Sequence, residues 1–189
     1  MRADDVTVVI PTIPPRREML GRALQSVLTQ THPVAAVSVA LDSRHDGVAV
    51  TRQRALEAAQ TPWVAFLDDD DAFKPEHLER LLWCAADTDS DYVFSYFDTT
   101  FCTDPLGHFG KPFDPAAPHH TTITVLVRRE LAQSVGFRTD HPDGWTLAQE
   151  DWRFTLDCVA AGAKITHLPE RTWYWFHHGH NTSGRPDRW

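Results

Sequence analysis

Lysine is nearly missing from this chain: Lys74, Lys111 and Lys164 stand alone within a Lys+Arg total of 18. Codon composition produces such an arginine bias as readily as chemistry does, so it carries no functional weight. Cysteine is also scarce. Cys84, Cys102 and Cys158 are odd in number and far apart, which excludes a disulfide framework and a CxxC metal knuckle and fits a reducing compartment. No apolar run approaches the length of a membrane span. The first residues place two acids before a short apolar run and lack the charged, apolar, small-residue order of a signal peptide, so a cytoplasmic protein is expected. Positive charge is in deficit as well. Against 26 Asp+Glu it leaves a formal net charge of −8, which argues against a surface that neutralises nucleic-acid phosphates. Internal repeats and low-complexity linkers are absent. What remains is 189 residues, 42% hydrophobic and 23% charged, the size and balance of one domain around one core.

Along the chain, β-branched and apolar runs alternate with helical periodicity. Strands are predicted over 6–10, 36–41 and 63–67, followed by helices near 19–28, over 48–59 and from about Pro75. Strands that do not alternate apolar with polar residues and are separated by helices predict a mostly parallel central sheet flanked by helices, the α/β class. The order is less regular after Asp91. Strands are expected over 92–97 and 122–127, a Pro/Gly-rich loop over 103–120, a short helix over 128–135 and a longer one over 150–161. Two closing strands, 163–168 and 172–176, precede a His-rich tail over 177–189.

Ligands of such sheets bind beyond the carboxyl ends of the strands. Here those ends carry Pro11 and Thr12, Asp42, and four consecutive aspartates, Asp68, Asp69, Asp70 and Asp71. Adjacent carboxylates repel by about 1 kcal/mol per pair even in water, and a divalent cation resolves the repulsion. Hard oxygen ligands suit Mg²⁺ or Mn²⁺, which join carboxylates to substrate phosphates. A helix cap by Asp70 and Asp71 is the plainer alternative.

These residues together resemble the family 2 glycosyltransferases of the GT-A fold. The likeness runs through Val8-Val9-Ile10-Pro11-Thr12, the helix end from Gln25 to Thr31, Leu41-Asp42, Thr51-Arg52-Gln53 and the block from Trp63 to Asp71, with Pro75 and Leu78 following. It implies that Asp68 and Asp69 face the ribose and metal-bound phosphate, that Asp70 is the direct metal ligand, and that Asp42 and Arg52 contact the base and diphosphate. Gln149-Glu150-Asp151-Trp152 is similar to the family's Glu-Asp motif and implies Asp151 as general base, with inversion at the anomeric carbon. The plainer reading places both acids at the positive end of a helix. Asp42-Ser43-Arg44-His45-Asp46-Gly47 and Arg52-Gln53 stand where the family often has Asp-Asp-Gly-Ser and Arg-Asn.

The tail from Trp173 to Gly184 resembles the family's aromatic, His, Asn-Thr-Ser ending and implies His178, then His180, as a further metal ligand or diphosphate contact. The remaining histidines, Arg16-Arg17 and Arg128-Arg129 are expected on surfaces or in loops. Trp145 is a candidate acceptor-stacking residue, whereas Trp173 and Trp175 read as core. The resemblance implies a single GT-A domain with a donor half over 1–100, an acceptor and catalytic half over 101–176, and the tail. It implies transfer of sugar from a UDP-linked or other nucleotide donor to a carbohydrate, lipid-linked or protein hydroxyl, with Mn²⁺ or Mg²⁺ and a possible homo-oligomer. Alternatives are a nucleotidyltransferase, which would want a Gly-rich phosphate loop in place of Pro11-Thr12-Ile13-Pro14-Pro15, and a sugar-nucleotide-binding module without turnover.

Overall fold

Seven consecutive buried residues, Val6–Thr12, form the strand β1 around which the molecule is organised. The computed structural model describes residues 5–99, 103–117, 122–139 and 150–178. A short 3-10 turn, Pro14–Arg16, leads from β1 to α1 (Arg17–Leu28), followed by β2 (Ala36–Leu41), α2 (Val48–Glu57), β3 (Trp63–Phe66), β4 (Ala72–Phe73) and α3 (His77–Thr88). The second half adds β5 (Tyr92–Asp98), β6 (Val125–Arg128), α4 (Arg129–Val135), α5 (Glu150–Ala160) and β7 (Ile165–Tyr174). The sheet order is β2-β1-β3-β6-β5-β7-β4. β1 pairs in parallel with β2 and β3, and β5 with β7, while β6 and β4 run against their neighbours. The sheet is therefore mixed, with five of its seven strands pointing one way and three parallel against three antiparallel pairings, and its helices make it α/β.

Side chains alternate across the sheet and build a core on each face. Val6, Val8 and Ile10 join Ala23 and Val27 of α1 and Leu78 and Leu81 of α3 on one side. Val9, Phe66 and Phe94 join Leu56 of α2, Ala132 of α4 and Phe154 and Cys158 of α5 on the other. Each large apolar side chain buried in this way contributes about 1.5–3 kcal/mol. The far strand β4 returns beside α1, where the Phe73 amide donates to Ser26 Oγ at 3.0 Å. The sheet forms a half-barrel, and its parallel strands β1, β2 and β3 end at one rim.

Two expectations change. The closing strands expected over 163–168 and 172–176 are one strand, β7, because its partner register skips from Leu168 to Arg171 and lets Pro169 sit in a bulge, where its missing N–H costs no ladder bond. His77 is a core residue and not a surface one. It is fully buried, stacks on Phe73 with ring centroids 4.0 Å apart, and shares a 2.6 Å Nδ1 hydrogen bond with Thr172 Oγ1. Burial lowers its pKa to about 3. His167 is likewise drawn inward, stacked on Phe94 at 4.6 Å.

Candidate active site

β1 and β3 lie side by side in the sheet, so Thr12 and the aspartates after β3 emerge next to each other. Thr12 Oγ1 donates to Asp69 Oδ2 at 2.7 Å. Arg16, on the turn just beyond β1, donates from Nη1 to Asp69 Oδ1 at 2.7 Å and lies 3.0 Å from Asp70 Oδ2. Asp69 thus has both oxygens engaged within the protein. The expectation that Arg16 is a surface charge fails: Pro14 and Pro15 fix a tight turn that folds its guanidinium back over the block. Pro11 is buried in β1, beside Ala40 of β2.

Asp68, Asp70 and Asp71 each offer an oxygen within 4.8 Å of the others. The chain leaving β7 closes over them. The Phe176 amide donates to Asp71 Oδ1 at 3.0 Å, and His178 Nε2 lies 3.1 Å from Asp70 Oδ2. His178 therefore stands at the aspartate block, while His180, Trp145 and Cys102 lie outside the described residues. Burial, then repulsion from Asp68, pushes the Asp70 pKa to about 6 against the pull of Arg16. Asp69 rises to about 6, chiefly through burial and against Arg16 and Thr12. Asp71 is pushed well above the ordinary carboxylate range by burial and by its neighbours Asp70 and Asp68.

Arg52 of α2 ties this cluster to a distant part of the chain. Its side chain is only 2% exposed, and it donates from Nη2 to Asp68 Oδ1 at 2.7 Å and from Nη1 to Glu150 Oε1 at 2.9 Å. The guanidinium sits over the Phe137 ring at 5.3 Å from its centroid. Burial opposes its charge, but Asp68 and Glu150 outweigh that and raise its pKa. Glu150 and Asp151 form the first turn of α5, where the positive end of the helix favours acids. Asp151 Oδ1 accepts the Trp152 amide at 2.7 Å. Burial first, and Glu150 second, push the Asp151 pKa to about 7, with Arg52 pulling the other way.

Asp42, at the end of β2, serves its own loop. Oδ1 accepts the amides of Arg44 (3.2 Å) and Asp46 (2.9 Å), and Oδ2 accepts that of Gly47 (2.9 Å), which fixes the turn into α2. Gln53 is explained by its contacts: Oε1 accepts the Phe137 amide at 2.9 Å and Nε2 donates to Glu57. The structure thus gathers Thr12, Arg52, Asp68, Asp69, Asp70 and His178 into one network and joins it through Glu150 to the helix that carries Asp151. Sequence reasoning puts Arg16 on the surface and, although Glu150 falls within the Glu-Asp motif, gives it no role of its own. A cation one turn beyond a ligand-bearing strand end was the available signal for the first. The pairing of Glu150 with Arg52 spans 98 residues and leaves no local trace.

Residues 36–142 match the model for glycosyl transferase family 2. The matched segment runs from β2 past α4 and contains the aspartate block. No curated protein matches the chain. Among solved structures it is similar to Staphylococcus aureus TarS 1-349 in complex with UDP-GlcNAc, with TM-score 0.78 and 16% identity over 96% of this chain and 61% of that one. It is similar to the same fragment in complex with UDP, with TM-score 0.72 and 18% identity over 92% of this chain and 60% of that one. Against the TarS structure of greater length the TM-score is 0.72 at 17% identity, over 93% of this chain and 37% of that one. This chain therefore spans about three fifths or less of the TarS chains it matches, and at these identities the likeness speaks for the fold. With more than half of its residues matched by the family model, the chain belongs to glycosyl transferase family 2, and its fold is the GT-A fold.

Proposed function

We propose that the chain binds a UDP-linked sugar at the rim formed by Pro11, Thr12, Asp42, Arg52 and the aspartates 68–71, and transfers the sugar with inversion to an acceptor hydroxyl. The single observation that carries this reading is the hydrogen-bonded chain Asp68, Arg52, Glu150. It sets the helix bearing a basic carboxylate, Asp151, against the acidic block at the strand ends. The likeness to TarS structures in complex with UDP and UDP-GlcNAc supports UDP as the carrier.

The donor set fits a hard divalent cation: three carboxylates, Asp68, Asp70 and Asp71, gathered within 4.8 Å and left mutually repelling. Asp70 would be the principal ligand to Mn²⁺ or Mg²⁺, with His178, and His180 after it, as further candidates. A bound cation supplies positive charge that stabilises the departing diphosphate. The protein's own groups do the rest. Asp42 shapes the loop beside the base, Arg52 holds Asp68 in place, and Asp151 takes the proton of the attacking hydroxyl. A carboxyl whose pKa is about 7 is suited to this, since a general base works best when its pKa lies near the working pH. The donor half is residues 1–100, and residues 101–176 supply the base and the acceptor side for a carbohydrate, lipid-linked or protein hydroxyl.

The test is transfer from UDP-sugars to simple glycoside acceptors, with the product's anomeric configuration read by NMR. Wild type is expected to give inverted product with Mn²⁺ present. Asp151→Asn, nearly isosteric but unable to take the proton, is expected to lower transfer by about a hundredfold or more while UDP still binds. Retained configuration, or full activity in Asp151→Asn, would refute the mechanism.

A further inference from the structure

Arg16 and Arg52 pair directly with the acidic block, while Arg22 acts on Asp70 from farther off, and the two paired arginines are held differently. Arg52 is clamped between Asp68 and Glu150 over the Phe137 ring. Arg16 comes from a three-residue turn whose other members, Pro14 and Pro15, are exposed at the rim. Its Nη1 lies 2.7 Å from Asp69 Oδ1 and 3.0 Å from Asp70 Oδ2, the oxygen that also meets His178 Nε2. Its side chain is 11% exposed. The guanidinium thus draws on the carboxylate that the proposed function assigns to the divalent cation. It offers a planar fork of donors of the kind that matches phosphate oxygens.

We propose that Arg16 is the resident counter-ion of the aspartate block: it neutralises Asp69 and Asp70 in the unliganded protein and turns to the donor's diphosphate when the metal takes Asp70. The inference rests on the metal and donor reading of this site and adds a specific device to it. Two cations sharing one carboxylate repel each other, so Arg16 opposes metal binding when no diphosphate is present. A diphosphate gives the guanidinium a new anionic partner and relieves that opposition. Arg16 therefore makes the empty site a poor metal trap and the donor-bound site a good one. Its contribution to metal affinity and its contribution to nucleotide affinity have opposite signs, which a merely structural arginine would not produce.

The experiment is calorimetric titration of MnCl₂ into nucleotide-free wild type, Arg16→Gln and Arg16→Lys, followed by titration of UDP at saturating Mn²⁺. Arg16→Gln is expected to bind Mn²⁺ about tenfold tighter than wild type and UDP about tenfold more weakly. Arg16→Lys keeps the charge and loses the fork, so its Mn²⁺ affinity stays within about threefold of wild type while its UDP affinity falls. If Arg16→Gln does not fold, the lysine variant alone decides: Mn²⁺ affinity raised about tenfold, or unchanged UDP affinity, overturns the proposal. In a folded Arg16→Gln, Mn²⁺ binding no tighter than wild type, or UDP binding undiminished, overturns it and leaves the metal site standing. Failure of all three proteins to bind Mn²⁺ overturns the metal reading together with the proposal.

Discussion

Asp70 concentrates the conflict in this site, because it is buried among like charges and yet must ionise to do anything useful. Its folded-state pKa of about 6 exceeds the ordinary 3.8, so between about pH 4 and pH 6 the folded protein holds a proton that the unfolded chain has released. The stabilisation this gives is complete below pH 4 and is lost as the pH rises through 6. Asparagine imitates the protonated acid at every pH. In EDTA, Asp70→Asn should therefore be more stable than wild type at pH 7, by up to about 3 kcal/mol, and the gap should close towards pH 4. Urea unfolding at the two pH values measures this, and a variant less stable than wild type at pH 7 would contradict it. Asp151 yields a kinetic counterpart. As the base it must be ionised, so transfer at saturating donor should rise with pH up to about 7 and level off above it. A rate that is flat between pH 5 and 8 would remove Asp151 from that role.

At the scale of elements, the site depends on how α2 and α5 are braced against the end of β3. The brace runs through Gly136, whose φ of +62° with ψ of 174° lies in a region open essentially to glycine alone. A methyl group there would stand 3.1 Å from Gln53 Oε1, the atom that accepts the Phe137 amide. The Phe137 ring in turn packs on Phe154 of α5 and under Arg52. Gly136→Ala is expected to destabilise the fold by about 1–3 kcal/mol, and urea unfolding that shows no loss would contradict the account. Most of these elements were legible in the sequence, because the central strands are short and largely apolar and α1 and α3 carry clear apolar stripes, whereas α2 buries Thr51 and Arg52 on its inner face. β4 was not, since two residues carry no periodicity, and the continuity of β7 was hidden by Pro169 at its bulge. The brace itself was invisible, because it joins residues whose proximity only the folded sheet creates.

For the whole molecule, topology does what no local motif does: it brings three strand ends, a turn, a helix start and the chain after β7 to one rim. The aspartate block could be read as chemistry because four adjacent carboxylates at a strand end repel one another, and the Glu-Asp pair through its resemblance to a family motif. The distribution of work among them could not. Asp69 is spent on Thr12 and Arg16, and Asp42 on its own loop, whereas Asp68, Asp70 and Asp71 form the cluster suited to a cation. His77, read from the sequence as ordinary, is a core residue because α3 begins against Phe73 of β4 and Thr172 of β7. Among the described residues no helix is long and apolar enough to cross a membrane. The most direct test of the central claim is calorimetric titration of UDP into the wild-type protein with Mn²⁺ and, separately, with EDTA. One UDP per chain, bound about tenfold or more tightly with Mn²⁺, is the predicted result; UDP binding that is undetectable in both, or equal in both, would contradict it.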